Sequence, residues 1–510
     1  MIKKESDLRP IVLGLLLGIL MSAIDNTIVA TAMPTIVGEM GGFDKFVWVT
    51  SAYMVATMAG MPIFGKLSDM YGRKRFYIFG LLMFLLGSAL CGTAQSIEML
   101  AVYRAVQGIG GGALMPIAFT IIFDVFPPEK RGKMTGLFGA VFGISSVAGP
   151  LLGAYITEYF GWEWVFYINL PLGLVSLWLI MKFYKETAST SKHRIDWGGA
   201  CTLVLSIVSL MFALELGGKT FAWNSYPILG LFASFVVFLL MFLAIETKVS
   251  EPIISFSLFK RQLFAASQSI GFFYGVAFVI GTIYIPMYVQ GVYGGSASNS
   301  GLILTPMMVG SVITSSIAGL LVSKTSYRNL MIVSGLFFTA GMICLSTLTP
   351  DTPRYLVTVY MVLTGLGVGF SFSLLSMSSV HELEFDQRGA ANSTISFSRS
   401  LGMTIGITVF GSLQSSIFAN RLADMMPGGT ETFGELSGQA LLTPEMRVKI
   451  PPEVYGKMTS ALASSISDLF LWALIPVAFA LVSIMLMGKD RLIVNKGGFT
   501  GEQQPVKRAK

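Results

Sequence analysis

The stretch Gly65-Lys66-Leu67-Ser68-Asp69-Met70-Tyr71-Gly72-Arg73-Lys74-Arg75-Phe76-Tyr77 decides the fold. It is a short, strongly charged segment between two long apolar runs. Gly65 and Gly72 allow close backbone approach and a sharp reversal of the chain. Asp69 and the basic residues that begin at Arg73 can pair with each other or with helix ends. The pattern predicts a tight hairpin between two helices, although any short basic loop between membrane spans would share part of this composition.

The composition of the whole chain indicates a membrane protein. Hydrophobic residues make up 53% of the 510 residues and charged residues 12%, whereas a soluble domain carries about 25% charge. The first apolar run, 11–33, is too long for the core of a signal peptide. Cys91, Cys201 and Cys344 lie in apolar runs without a C-x-x-C pattern, so we expect neither disulfides nor a metal site. The predicted class is an all-α polytopic membrane protein.

Apolar runs bounded by charge, Gly or Pro predict about fourteen transmembrane spans. With the N-terminus inside the cell, 26 of the 35 Lys and Arg residues fall on the inner side and 7 on the outer side. This asymmetry follows the positive-inside rule and predicts that both termini are cytoplasmic. We therefore expect a multi-pass protein of the cell membrane whose net charge of +7 reflects topology and contact with anionic lipids, not nucleic acid.

An internal repeat divides the chain. Three glycines of the fourth span recur 257 residues later, as does an Arg-Gly pair that opens the fifth span. The first copies are Gly108, Gly110, Gly112 and Arg131-Gly132, and the second copies are Gly365, Gly367, Gly369 and Arg388-Gly389. Glycines also permit tight helix packing on their own account, but packing alone does not explain one shared offset. Two six-span halves are the simplest architecture.

The repeat predicts four regions. They are an N-terminal six-helix bundle (1–183), two inserted spans with cytoplasmic linkers (184–263), a C-terminal six-helix bundle (264–488) with a long outer loop (418–465), and a cytoplasmic tail (489–510).

Two opposite charges in the N-terminal half lie inside apolar spans, where a charge near the middle of the bilayer costs about 2.5–3.5 kcal/mol. Asp25 in the first span and Arg104 in the fourth fall at similar depths, so each can compensate the other. Proton coupling needs a carboxylate whose proton affinity changes with exposure and with a nearby arginine. A static, structural ion pair is the alternative. Glu215, near the outer end of the seventh span, is either a second protonatable site or an interfacial carboxylate.

The fifth span contains Gly143, Gly149, Pro150 and Gly153. Pro150 removes a backbone donor and favours a bend, while the glycines admit a close neighbour. The residues predict a bent, tightly packed helix.

These features together resemble a known family. The hairpin is similar to the signature loop of the major facilitator superfamily of transporters. The segments 24–34, 104–108, 149–150 and 162–171 and the number of spans resemble its fourteen-span drug:proton antiporter-2 family, most of all Gram-positive multidrug exporters. The resemblance implies two six-helix bundles plus two inserted helices, exchange of lipophilic, often cationic or zwitterionic drugs for protons, and alternating access.

The resemblance also implies roles for individual residues. Asp25 would be the protonation site and Arg104 its partner. Gly65, Asp69, Gly72 and Arg73 would form a conformational latch, and the fifth span with Pro150 would be a gating helix.

Residues that contact the substrate are harder to assign. Polar or amphipathic groups within spans that could line a cavity are Asn26, Thr27, Tyr53, Gln107, Tyr274 and Tyr288. Arg399 lies inside the thirteenth span and could contact substrate, a backbone carbonyl or a lipid phosphate.

Other functions compete with drug export. A proton-coupled transporter of a specific metabolite or nutrient, working as symporter or exporter, fits the same spans. An enzyme is disfavoured, because the chain has two histidines and no H-E-x-x-H, G-x-S-x-G or P-loop pattern. A scaffold or sensor would not need charges inside its spans. We expect a monomer without cofactor or metal, driven by the proton gradient, whose partners are small-molecule drugs, protons and membrane lipids.

Overall fold

The computed structural model describes residues 5–40, 46–186, 195–218, 220–249, 251–295, 297–425 and 451–491. These residues form helices, with one isolated β-bridge between Gly217 and Phe221. In chain order the helices are α1 (Glu5–Met40), α2 (Phe46–Tyr71), α3 (Arg73–Cys91), α4 (Ile97–Val125), α5 (Pro128–Tyr159), α6 (Trp164–Tyr167), α7 (Asn169–Phe183), α8 (Trp197–Leu216), α9 (Tyr226–Glu246), α10 (Phe256–Phe259), α11 (Gln262–Gly291), α12 (Ala297–Leu321), α13 (Tyr327–Leu345), α14 (Arg354–Ser379), α15 (Arg388–Met425), α16 (Pro452–Trp472) and α17 (Leu474–Leu486).

Twelve segments of the described chain are long and apolar enough to cross a membrane. They confirm the all-α, multi-pass class. The long helices α2 and α5 are not among the twelve, yet both pack inside the bundle, α2 against α4 and α15, and α5 against α1 and α12. The count of fourteen spans stays a prediction.

The repeated glycines make the same contacts in both halves. A side chain at Gly110 of α4 would overlap the backbone of Phe84 in α3, and one at Gly367 of α14 would overlap the backbone of Phe338 in α13. Both glycines therefore let two helices approach at backbone distance. The other two pairs behave alike: Gly108 and Gly365 lie against the carbonyls of Tyr53 and Met307, and Gly112 and Gly369 lie against those of Thr57 and Ser311.

The repeated arginines also make equivalent hydrogen bonds, each to a backbone carbonyl five residues earlier in the chain. Arg131 Nε donates to the carbonyl of Phe126 at 3.0 Å, and Arg388 Nε donates to the carbonyl of Leu383 at 3.3 Å.

We call α1–α7 the first half and α11–α17 the second half. The halves meet where α2 and α4 pack on α15 and where α5 packs on α12 and α14. The inserted helices α8 and α9 pack on each other, and α8 also packs on α2.

The segment 418–465, expected as an outer loop, is helical at both ends. Helix α15 continues to Met425 and α16 begins at Pro452. Arg421 and Asp468 pair at 2.5 Å across these two helices, which stabilises the extensions beyond the expected boundary. Residues 426–450 of this segment lie outside the described residues, as do 492–510 of the expected tail.

Candidate functional site

Asp25 is the centre of a buried polar cluster in the first half. Its side chain is fully buried in α1. Oδ2 accepts a hydrogen bond from Arg104 Nη1 of α4 at 2.5 Å. Oδ1 accepts from Gln107 Nε2 of α4 at 2.8 Å and from Asn169 Nδ2, the first residue of α7, at 3.0 Å. Three donors from two other helices therefore replace the water that a carboxylate would lose on burial.

Arg104 is held from several sides. Its guanidinium lies over the ring of Tyr53 at 4.2 Å, a cation–π contact that suits a desolvated cation. Nη1 also donates to Gln107 Oε1 at 2.6 Å. The Tyr53 hydroxyl in turn lies 3.2 Å from Ser22 Oγ of α1. Arg104 Nε has no hydrogen-bond partner among the described residues, so one donor remains available at the edge of the cluster.

Ser88 of α3 completes the cluster. Its hydroxyl lies 2.9 Å from Asn169 Nδ2 and 3.3 Å from Gln107 Nε2, and it donates to the carbonyl of Phe166 at 2.8 Å. The neighbouring Gly87 permits this arrangement, because a side chain there would overlap the backbone of Gln107. The cluster thus joins four helices: α1, α3, α4 and α7.

A second charged site joins the two halves at the hairpin. Both oxygens of the Asp69 carboxylate accept backbone hydrogen bonds at the start of α15, from Gly389 N at 2.8 Å and Ala390 N at 2.7 Å. The first amides of a helix lack partners within that helix and favour negative charge. Asp69 at the end of α2 therefore caps a helix of the opposite half.

Arg73 reinforces this junction. Its Nη2 donates to Asp69 Oδ1 at 3.1 Å and to the carbonyl of Phe385 at 2.5 Å. It also pairs with Asp124 at the end of α4, and Arg388 of the second half lies 3.4 Å from the same carboxylate. The ion pairs therefore connect Asp69, Arg73 and Asp124 of the first half to Arg388 of the second half.

The structure requires glycine at Gly65 and at Gly72 for two different reasons. A side chain at Gly65 would overlap Ser393 and the backbone of Gly389, so Gly65 allows α2 to touch α15. Gly72 has φ of 106°, a conformation that favours glycine. Behind it, the Glu186 carboxylate accepts hydrogen bonds from the backbone of Arg73 at 2.5 Å and of Lys74 at 3.0 Å.

Helix α5 packs beside Asp25. A side chain at Gly149 would overlap Thr27, and one at Gly153 would overlap Thr31. Thr27 Oγ1 donates to the carbonyl of Ser145 at 3.0 Å. Helix α5 includes Gly143 and continues through Pro150. The close neighbour of Gly149 and Gly153 is therefore α1, in the two turns that follow Asp25.

The other candidate residues lie in separate places. Asn26 is exposed and donates to the carbonyl of Ser22 at 3.1 Å. Tyr274 is buried with its hydroxyl 3.0 Å from Ser334 Oγ, and the Tyr288 hydroxyl donates to the carbonyl of Thr349 at 2.5 Å. Glu215 is the second-last residue of α8. The assigned roles of these four residues stay predictions.

Sequence reasoning missed four residues of the two sites. They are Ser88 and Asn169 in the buried cluster and Asp124 and Glu186 at the hairpin. Burying an Asn in an apolar membrane segment costs free energy, so Asn169 could have been recognised from the sequence as a candidate site residue. Asp124 and Glu186 stand at helix ends near basic residues, where an acid is common. Ser88 could not have been recognised in this way, because serine is frequent in membrane helices.

Two glycine-matched helical halves, membrane-crossing segments and a charged cluster buried between spans define a class, the helical membrane transporters. A family model described as Major Facilitator Superfamily matches residues 15–407. The chain belongs to this family, which confirms that it is a transporter and not an enzyme.

Two bacterial relatives agree with this class. The chain is 57% identical over 495 residues to Multidrug resistance protein 3 of Bacillus subtilis (strain 168), covering 96% of this chain and 97% of that protein. It is 36% identical over 528 residues to Multidrug transporter protein MdtP of the same organism, covering 99% and 98%. These relatives confirm the similarity to Gram-positive multidrug exporters; the fourteen-span subfamily stays a prediction.

A solved structure confirms the fold alone. The human organic anion transporter MFSD10 (TETRAN) superposes with a TM-score of 0.59 at 15% identity, covering 92% of this chain and 99% of that chain.

Proposed function

We propose that the protein is a proton-coupled multidrug exporter of the cell membrane that works by alternating access. The names of the two bacterial relatives support drug export. The observation that carries proton coupling is the fully buried Asp25 carboxylate, paired with Arg104 at 2.5 Å. A carboxylate is a natural proton carrier, and its environment sets when it binds a proton.

The contacts of Asp25 explain how a proton would change the site. The ionised carboxylate accepts three hydrogen bonds and neutralises Arg104. A proton on Oδ2 turns an acceptor into a donor and removes the charge that Arg104 faces. Protonation therefore weakens the link between α1 and α4 and releases the guanidinium. Because Thr27 and Gly149 join α1 to α5, such a change also reaches the proposed gating helix.

The hairpin site would act as the latch between the two transport states. Asp69 and Arg73 hold α2 of one half to α15 of the other. With the hairpin and both termini in the cytoplasm, as the distribution of basic residues favours, this latch would close the inner side. Opening inward would break the Asp69 contacts with the start of α15. Residues 1–183 and 264–488 would be the moving bundles, with 184–263 inserted between them.

Substrates would be lipophilic small molecules, often cationic or zwitterionic. Of the residues proposed to contact them, Tyr53 and Gln107 adjoin the Asp25 cluster, and Asn26 and Thr27 follow Asp25 along α1. Tyr274 and Tyr288 would contribute from α11. Drug binding near Asp25 would favour release of its proton, and reprotonation would favour release of the drug.

The test is uptake of a fluorescent dye or fluoroquinolone into everted membrane vesicles from cells that express the protein. An inside-acid gradient should drive accumulation, and collapse of the gradient with nigericin should stop it. The reversed gradient should give none. Accumulation driven only by the reversed gradient would indicate a symporter, and accumulation unaffected by nigericin would contradict proton coupling. Vesicles without the protein provide the control.

A further inference from the structure

Arg399 is a buried cation without a counter-ion. Its side chain lies in α15 and is 8% exposed. Nη2 donates to the carbonyl of Ser371 in α14 at 3.4 Å, a long hydrogen bond, and the guanidinium lies 4.7 Å from the ring centre of Phe372. Among the described residues it forms no ion pair. The buried Arg104, by contrast, is paired with Asp25.

Arg399 lies well inside its helix. It lies eleven residues into α15, about 16 Å along the helix from Arg388. The next residue, Ser400, contacts Met61 of α2, and Thr404 contacts Met58. This part of α15 therefore lies at the boundary between the halves.

An arginine in such a place needs an anion. The guanidinium stays charged under all physiological conditions, and burial of an unpaired charge is costly. The Phe372 ring lies beside the planar group, and among the described residues only Nη2 of its N–H groups forms a hydrogen bond. The edge of a guanidinium matches a carboxylate, which can accept two parallel hydrogen bonds from it.

We propose that Arg399 binds the carboxylate of anionic or zwitterionic substrates, while substrates without a carboxylate do not use it. The inference rests on the proposed export function and adds the chemical class that this residue selects. A positive charge on α15 and a negative charge at Asp25 would then suit the two ends of a zwitterion.

The experiment compares three probes in everted vesicles: a fluoroquinolone that carries a carboxylate and a basic amine, its methyl ester, and the cation ethidium. Arg399→Gln should lower the initial rate for the fluoroquinolone about tenfold, the size expected for loss of a charge-assisted hydrogen bond, and leave the ester and ethidium unchanged. Arg399→Lys, which keeps the charge, should restore part of the rate. Arg421→Gln, which removes a half-exposed arginine paired with Asp468, is the matched control and should transport all three probes normally.

Two results would overturn the proposal: an equal loss for all three probes, which indicates that Arg399 only holds α14, or an unchanged rate for the fluoroquinolone. Binding to purified protein provides a measurement independent of transport. Arg399→Gln should weaken fluoroquinolone binding about tenfold and leave ester binding unchanged. If the wild-type protein binds the probes but transports none under a proton gradient, export fails as a function while the binding comparison still decides the role of Arg399.

Discussion

The two halves share a backbone arrangement but differ in charge. Helix α4 carries Arg104 and Gln107, both buried against Asp25. The positions 257 residues later in α14 are Met361 and Thr364. Met361 is buried in the apolar core, and Thr364 Oγ1 donates to a carbonyl of its own helix.

The comparison separates packing from function. Glycines in both halves keep the helices at backbone distance, so the contacts between helices need no charged group. Helix α11, which packs on α15 as α1 packs on α5, contains no acidic or basic residue. The charges of the first half are therefore additions to a shared scaffold. Such costly additions are expected where a chain carries out its chemistry.

The largest effect is expected at the acid that distinguishes the halves. Asp25→Asn keeps the shape of the side chain and removes its ability to carry a proton. Gradient-driven dye uptake into everted vesicles should fall to the level of vesicles without the protein. Asp468→Asn is the matched control, because Asp468 also pairs with an arginine at 2.5 Å but its side chain is 32% exposed. It should transport normally; uptake by the Asp25 variant at the control rate would contradict the role of Asp25.

Arg104→Met places in α4 the residue type that occupies the matching position of α14, Met361. The substitution leaves Asp25 buried without its counter-ion, and the loss of one partner of a buried pair destabilises a protein by about 3–5 kcal/mol. We expect a lower thermal denaturation temperature in detergent and no transport. Adding Asp25→Asn removes the unpaired charge and should restore the temperature but not the transport. A double variant as unstable as the single one would show that the pair is not coupled in this way.

A smaller effect is expected at the latch. Asp69→Ala removes two charge-assisted hydrogen bonds to the start of α15, together worth about 3 kcal/mol. The protein should insert normally but transport more slowly, because the closed inner side is less populated. The distance between spin labels at the inner ends of α2 and α15 should shift to longer values. An unchanged distance distribution with intact turnover would remove the latch role.

The smallest effect is expected when two buried serines, one in each half, are replaced by alanine. Ser88→Ala removes a hydroxyl from the Asp25 cluster, and Ser334→Ala removes one that donates to the carbonyl of Gly367 at 2.7 Å in the second half. Each should lower stability by about 1 kcal/mol, the net worth of a hydrogen bond. Only Ser88→Ala should shift the pH dependence of transport, since only that hydroxyl touches donors of Asp25. Equal shifts in both variants would show that the halves contribute alike.

Much of the fold was predictable from the sequence, because apolar length, glycine spacing and charge asymmetry are local patterns. The pairing of Asp25 with Arg104 was also predictable, since two opposite charges at one depth in an apolar medium have few other partners. The roles of Ser88 and Asn169 were not, because they depend on how α3 and α7 pack on α4. The partner of Asp69 was equally hard to predict, because the backbone amide of Gly389, 320 residues later, leaves no pattern in the sequence.

The most direct test of the account is proton release on ligand binding. A saturating lipophilic cation is added to the purified protein in weakly buffered detergent solution, and the pH is followed with an indicator dye. The wild-type protein and Asp468→Asn should release protons, and Asp25→Asn should bind the cation without releasing any. Proton release by the Asp25 variant equal to that of the wild-type protein would contradict the claim that this carboxylate exchanges protons for drug.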